Sequence, residues 1–172
     1  MGVTTEGTRE QTVSIRKASL KDIPHIVRLS EQLGYIVSGD LVSRQISAIS
    51  RDERHSVFVA VDSAERVLGW VHVALRTLVH VEPYAEIGGL VVDEKNRRQG
   101  IGRLLLGAAH RWAKGNRVAT MMVWSNVIRV VAHEFYQNQG YILKKQQKVF
   151  QKNLHGDPFD TQEGRPQKGE EK

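Results

Sequence analysis

GLVVDEKNRRQGIGRLLLGAAHRWAKG, residues Gly89–Gly115, is the stretch whose reading decides the fold. Leu90, Val91 and Val92, with Ile87 ahead of the two glycines, read as the end of a β-strand. A charged run leads into Arg97-Arg98-Gln99-Gly100-Ile101-Gly102-Arg103. Leu104, Leu105, Leu106, Ala108, Ala109 and Trp112 then recur at helical spacing, and Lys114-Gly115 supplies a basic last turn and a glycine stop. Strand, glycine-rich turn and helix make an anion cradle. The first amides of a helix lack intrahelical partners, and the helix dipole adds positive charge at that end. Gly100 and Gly102 let a phosphate come close to the backbone, and Arg97, Arg98 and Arg103 add full charges. The spacing fits neither the G-x-G-x-x-G of dinucleotide folds nor the P-loop pattern. Taken alone, it also fits a glycine-softened turn before an ordinary amphipathic helix.

Outward from this stretch, the chain reads as one domain. Its 172 residues suffice for a proper core. Val13 and Ile15 open a short strand; Ser19 and Asp22 form a capping box for a helix over 20–33, with Ile23, Ile26, Val27, Leu29 and Leu33 inward. Ser38 or Asp40 caps a second helix through about 50, with Leu41, Ile46 and Ile49 inward. Strands are expected over 57–61, over 67–78 with Val67, Gly69, Val71 and Val73 on one face, and over 85–92 after a loop at Glu82-Pro83-Tyr84. Gly69 in a strand marks a bulge or a close backbone contact. A strand over 118–124, a helix over 129–139 and one or two strands in 141–154 follow. The order β-α-α-β-β-β-α-β-α-β predicts an α/β fold with a central mixed sheet flanked by helices. Residues 1–12 and 155–172 are polar and patternless and read as disordered tails around a 13–154 domain.

The chain has no cysteine, which excludes disulfides, thiolate metal sites and a cysteine nucleophile, and no metal site is expected. No signal peptide and no run of membrane-spanning length are seen, which points to the cytoplasm and away from a membrane partner. Residues 13–154 hold 21 of the 25 basic and 12 of the 19 acidic residues, a charge of +9. Such a domain suits a polyanion, whether nucleic acid or a phosphorylated cofactor.

Arg97-x-x-Gly100-x-Gly102 after a strand resembles the acetyl-CoA signature of the GNAT N-acetyltransferases. Ser125-Asn126-x-x-Arg129-x-x-Ala132-His133-x-Phe135-Tyr136-x-x-x-Gly140-Tyr141 is similar to the block that carries the second half of that family's cofactor site. The element order matches the family's fold over about 13–154. Gln32–Tyr35 (QLGY), Gly69–Val73 (GWVHV) and Gln147–Phe150 (QKVF) look like one bacterial branch, many of whose members have no assigned substrate.

The resemblance implies transfer of the acetyl group of acetyl-CoA to a primary amine of a small molecule or peptide, by direct attack in a ternary complex. It implies that Leu90, Val91, Val92, Arg97, Arg98, Gln99, Gly100, Ile101, Gly102, Arg103, Asn126, Arg129 and Tyr136 bind the cofactor. The chemistry requires a neutral amine, hence a base or a water chain, a donor to the carbonyl oxygen, and an acid near the departing thiolate. Tyr136 matches the family's tyrosine acid by position; its alternative is a helix-face aromatic packed under the sheet, though Phe135 is the more natural core residue. Glu86, on the strand entering the turn, is the candidate base, or else a cross-strand partner for an Arg or Lys. Asn126 is either a ligand of the pantetheine arm or an N-cap, and Arg129 either a phosphate ligand or a solvated helix start. His133 reads as structural. Tyr35, Trp70, His72 and Tyr84 are candidates for the acceptor pocket, with Glu31 beside them. The rival readings are a non-catalytic acyl-CoA sensor on the same fold and a nucleic-acid module. The first is disfavoured by retention of Tyr136 and Glu86, and the second, so that no nucleic acid is expected, by the absence of a recognition motif. Dimers are common among proteins of this family, so a homodimer is a candidate state.

Overall fold

The computed structural model describes residues 12–154, so the expected tails lie outside the described residues apart from Thr12. In chain order the elements are β1 (Ser14–Lys17), a 3₁₀ turn (Leu20–Asp22), α1 (Ile23–Gln32), α2 (Gly39–Ile49), β2 (His55–Val61), β3 (Val67–Leu78), β4 (Val81–Val92), a second 3₁₀ turn (Glu94–Asn96), α3 (Ile101–Gly115), β5 (Met121–Val123) and α4 (Val130–Asn138). The strands form one mixed sheet in the order β1-β2-β3-β4-β5. Neighbours are antiparallel except β4 and β5, which run parallel and are joined through α3.

Local chemistry accounts for the helix starts. The Ser19 backbone N–H donates to Asp22 Oδ2 at 2.8 Å, completing the capping box ahead of α1. Ser38 Oγ accepts from the Leu41 N–H at 3.1 Å and caps α2. The two sheet faces carry separate cores. Ile101, Leu105, Leu106 and Ala109 of α3 pack with Val71, Val73, Ala85 and Ile87 on one face. On the other, Leu29 of α1 packs with Val59, Val61, Val67 and Val91, and Ile26 meets Val42, Ile46 and Val57.

Several expectations are corrected. Val67 does not share a face with Val71 and Val73. The β2–β3 register shifts between Ala60, opposite Gly69, and Val61, opposite Val67, and the extra Leu68 turns Val67 towards α1. Gly69 itself makes the close contact expected of it, since a Cβ there would lie 2.6 Å from the Val91 carbonyl oxygen. In α2 Val42 and Ile46 are buried and Ile49 packs partly against the same cluster, as expected of the last two, while Leu41 beside the cap stays exposed. Glu82-Pro83-Tyr84 belongs to β4 rather than to a loop, because β3 is long enough to pair with it down to Val81. The strand expected over 118–124 shrinks to Met121–Val123, and no residue of 141–154 forms a strand. Strand pairing needs an edge and an alternating pattern. Here β5 offers three residues, and Lys144-Lys145-Gln146-Gln147-Lys148 breaks the alternation. The segment is tied to the end of β5 by Trp124 Nε1, which donates to Gln147 Oε1 at 3.2 Å.

Asp22 joins β1 to α1. Its buried carboxylate takes both Arg16 terminal nitrogens, at 2.8 and 2.9 Å, as well as the Ser19 N–H. Burial works against its ionised form, but Arg16 and Ser19 outweigh that and hold its pKa below the ordinary value. Asp22→Ala is expected to lower unfolding free energy by about 2–3 kcal/mol, since it leaves Arg16 with only the exposed Glu65 as partner and opens the cap. The folded-state pKa lies below the unfolded one, so the contribution is complete above the ordinary aspartate range and fades as pH falls through it. Urea titrations at pH 7 and near pH 3 check both points: the wild-type advantage over Asp22→Ala must shrink at the lower pH.

Candidate active site

The site begins with a bulge. His72 pairs with Gly89 and Val73 with Ile87, which leaves Gly88 as the extra residue of β4. Both glycines lie against rings. A Cβ at Gly88 would sit 2.8 Å from His72 Nδ1, and one at Gly89 2.8 Å from two ring carbons of Trp70. Only glycine at both places lets the rings lie on β4 on the α1 side of the sheet.

Just past this point the sheet opens. β4 and β5 pair at Ala85–Met121, Glu86–Met122 and Ile87–Val123, and the ladder then ends. From Gly88 to Val92 the edge of β4 that faces away from β3 has no strand beside it among the described residues. Leu90 and Val92 pack on the α3 core, and Val91 is buried towards α1. β4 therefore offers backbone polar groups to the gap over a stretch rigidly held by both faces.

The glycine turn stands after this open edge. Buried Asp93 anchors its start, accepting from the Lys95 N–H and pairing with Arg28. Burial opposes its charge, but Arg28 and the Lys95 N–H hold its pKa below the ordinary value. Arg97 Nε donates to the Val92 carbonyl at 3.1 Å. Arg98 has φ +62°, a left-handed conformation that costs a non-glycine residue about 1 kcal/mol or more. Gly100, the N-cap of α3, has φ +79°. A Cβ there would meet nothing within 4 Å, so glycine is demanded by the backbone angle rather than by space. No side chain caps α3 and no acid lies in its first turn. Its first amides stay open to an anion, with the exposed side chains of Arg97, Arg98, Gln99 and Arg103 around them, while Ile101 is buried in the core.

α4 flanks the turn. A Cβ at Gly102 would come within 3.2 Å of the Phe135 ring, so Phe135 lies directly on the first turn of α3. Tyr136 follows it, edge-on to Phe135 at 5.2 Å and to Tyr141 at 5.4 Å between ring centroids. Burial pushes its phenol up to about 12, so it stays protonated at neutral pH. Its hydroxyl has no hydrogen-bond partner among the described residues. Asn126 organises the loop before α4 rather than capping the helix: its Oδ1 accepts from the Ile128 N–H, and its carbonyl accepts from the Arg129 N–H and lies 3.0 Å from the His133 ring. The N-cap is Arg129, whose guanidinium donates to the Leu33 carbonyl at the end of α1.

On the α1 side of the sheet, Glu86 is paired with Arg76, a diagonal cross-strand contact. His72 stands beside it, hydrogen-bonded to His55 at 3.1 Å. Burial pushes His72 down to about 4, helped by His55 and Arg76 and opposed by Glu86. Tyr84 is buried against Trp124, 6.1 Å between centroids. Trp70 Nε1 is buried without a hydrogen-bond partner among the described residues. Tyr35 is 61% exposed just after α1.

The family model described as "Acetyltransferase (GNAT) family" matches residues 24–141, more than half of the chain. The chain belongs to this family. It is an acetyl-CoA-dependent N-acetyltransferase. Among solved structures, an aminoglycoside 6′-N-acetyltransferase of Acinetobacter baumannii shares the fold at 18% identity and TM-score 0.74, over 83% of this chain and 99% of that one. An aminoglycoside N-acetyltransferase in complex with CoA superposes at TM-score 0.76 and 18% identity, over 84% and 97%. A transcriptional regulator of Bacillus halodurans superposes at TM-score 0.70 and 24% identity, over 81% and 99%. No curated protein gives a significant match. At such identities these likenesses show the fold.

Within this GNAT fold, the turn residues Arg97–Arg103 and the open edge Leu90–Val92 adjoin one another, with Phe135 holding α4 at the turn. Glu86, His72, Trp70 and Tyr84 lie on the α1 face, and Tyr35 is exposed just after α1. His55, Arg76 and Trp124 escaped sequence reading. His55 and Arg76 become visible only through strand register, and Trp124 only where β5 ends. Among the described residues no helix is long and apolar enough to cross a membrane.

Two glycine replacements separate space from backbone angle. Gly89→Ala forces its Cβ into the Trp70 ring and is expected to cost about 1–3 kcal/mol. Gly100→Ala meets no atom and costs about 1 kcal/mol through its left-handed angle. Denaturant unfolding of both variants checks the order, and a smaller loss at Gly89 would contradict it.

Proposed function

We propose that this acetyltransferase carries out direct transfer from acetyl-CoA to a primary amine of a small molecule or peptide, both substrates being bound together. The observation that supports this most is the gap where β4 loses β5 beside an uncapped helix N-terminus. Acetyl-CoA supplies an acyl group activated as a thioester. In this reading the Gly88–Val92 edge of β4 receives the pantetheine amides, and the amides of Arg98–Arg103 with the Arg97, Arg98 and Arg103 side chains hold the phosphates. Gln99, Ile101, Asn126 and Arg129 complete the wall of the cofactor site. The amine enters from the α1 face, past Trp70, His72, Tyr84 and Tyr35. Aminoglycoside N-acetyltransferases share the fold, which supports a small-molecule amine as acceptor. Residues 13–154 form the working domain, and the cytoplasm is its place of action.

Tyr136 is the acid in this reading. A protonated phenol with no hydrogen-bond partner among the described residues is free to donate to the departing sulfur, where negative charge is greatest late in the reaction. Glu86 is held by Arg76 and acts on the amine either directly or through water.

A screen of amines by thiol release, with purified protein and acetyl-CoA, tests the reading; wild type without turnover on any amine overturns it. Gly100→Val is expected to raise the KM for acetyl-CoA at least ~10-fold, because its side chain covers the helix amides, and an unchanged KM would remove the phosphates from this turn. Tyr136→Phe keeps the ring contacts. It is expected to lower kcat by ~10² to 10⁴ while leaving the KM for acetyl-CoA and the melting temperature nearly constant. A kcat within about twofold of wild type would retire the acid role.

A further inference from the structure

We propose that His72 and His55 form a two-ring relay that takes a proton from the acceptor amine at the Gly88 bulge and delivers it to the surface beside Asp52. This rests on the acetyl-transfer reading of the β4–β5 gap.

The placement of the rings carries the proposal. The His72 ring lies against Gly88, the extra residue that the register shift at His72/Val73 leaves in β4, with Nδ1 2.8 Å from where a Gly88 Cβ would be. Gly88 itself is exposed, so this point of the bulge is open to a ligand. Nε2, the other nitrogen, is 3.1 Å from His55 Nδ1, and the rings stack with centroids 5.3 Å apart and 18° between planes. His55 Nε2 in turn lies 4.0 Å from Asp52 Oδ2, whose side chain is about one-third exposed, at 34%. The three groups make a line from the interior of the acceptor face to solvent. Glu86, the other basic group at the bulge, already has Oε2 engaged by Arg76.

The electrostatics suit a relay better than a single base. His72 is faced by His55 from β2, Arg76 on its own strand and Glu86 from β4, and burial keeps it neutral at pH 7. An imidazole titrating near 4 holds a proton poorly. His55 lies towards the rim beside Asp52, whose carboxylate is held by Arg54, so a proton received by His72 has a path outward.

The relay uses the tautomer in which His72 donates Nε2–H to His55 Nδ1, and His55 carries its own proton on Nε2. An ammonium acceptor loses two protons on becoming an amide. The first passes to His72 Nδ1, the Nε2 proton of His72 passes to His55 Nδ1, and the Nε2 proton of His55 goes to water beside Asp52. The second restores the phenol of Tyr136, which gives its own proton to the CoA sulfur as the N–C bond forms and the C–S bond breaks. The products are the N-acetyl amide, CoA thiol and one proton in solvent. Both rings finish neutral in the opposite tautomer and reset by exchange with surface water.

The test compares His72→Gln, His55→Gln and the double variant in full-length protein, with acetyl-CoA and an amine that wild type acetylates. Each single variant is expected to lower kcat about 10²-fold at neutral pH with the KM for acetyl-CoA unchanged. The double variant should be no slower than the worse single, since both act on one path. The defect should shrink as pH rises and the amine is already neutral, which a merely structural role would not produce. His55 is at the rim, so His55→Gln keeps the test decisive if His72→Gln fails to fold. Wild-type turnover with His55→Gln within twofold of it across pH 6–9 overturns the relay and leaves acetyl transfer standing. Absence of turnover in wild type overturns the transfer reading and the relay with it.

Discussion

Most of what this molecule can do depends on one interruption in hydrogen bonding. β4 pairs with β3 along nearly its whole length, but with β5 for three residues only. A strand held on one edge and released on the other keeps its position while its free amides and carbonyls remain available. In a closed sheet those groups would be consumed by a neighbour, and the same sequence of side chains would have no place for an extended ligand. α3 crosses from β4 to β5 and buries Leu105 and Leu106 against the sheet. The helix start is thereby fixed beside the opening, and its uncapped amides are set where an anion can reach them.

The turn between strand and helix is built under strain. Arg98 and Gly100 both lie in the left-handed region, and only one of them is glycine. That cost is sustained by the buried Asp93 with Arg28 on one side and by Ile101, sunk in the core, on the other. Between these anchors Arg97, Arg98, Gln99 and Arg103 project outward. The charge of +9 within 13–154 is thus given a local focus by backbone geometry.

The opposite face has different chemistry. Its polar groups are arranged in pairs, Arg76 with Glu86 and His55 with His72, within a wall of Trp70, Val57 and Val59. The two glycines at the bulge belong equally to both sides: they shape the edge towards the gap and leave room for the rings behind it. This sharing explains why a pair of residues with no side chains matters to the pairing of two histidines seventeen positions apart.

Several features were legible in the residues because they are local. The capping box at Ser19 and Asp22, the Ser38 cap, the strand–glycine–helix stretch and the helical spacing of α3 depend on neighbours three or four positions away. The family signature at Arg97–Gly102 sits in such a stretch, which is why its match came with the right fold. Long-range pairing decided the rest. A one-residue shift near Leu68 moved Val67 to the other face, and the bulge at Gly88 brought His72 against β4. The early end of β5 left 141–154 without a strand. The pairings of Glu86 with Arg76 and His55 with His72, and the tie of Arg129 to Leu33, join residues whose separation along the chain says nothing of their distance. By itself the sequence determined the helices, the glycine turn and the family, because their forces act within a few residues. Register, strand ends and side-chain partners were decided only in the tertiary structure, since side chains alternate faces with a period of two and one extra residue reverses every side chain beyond it.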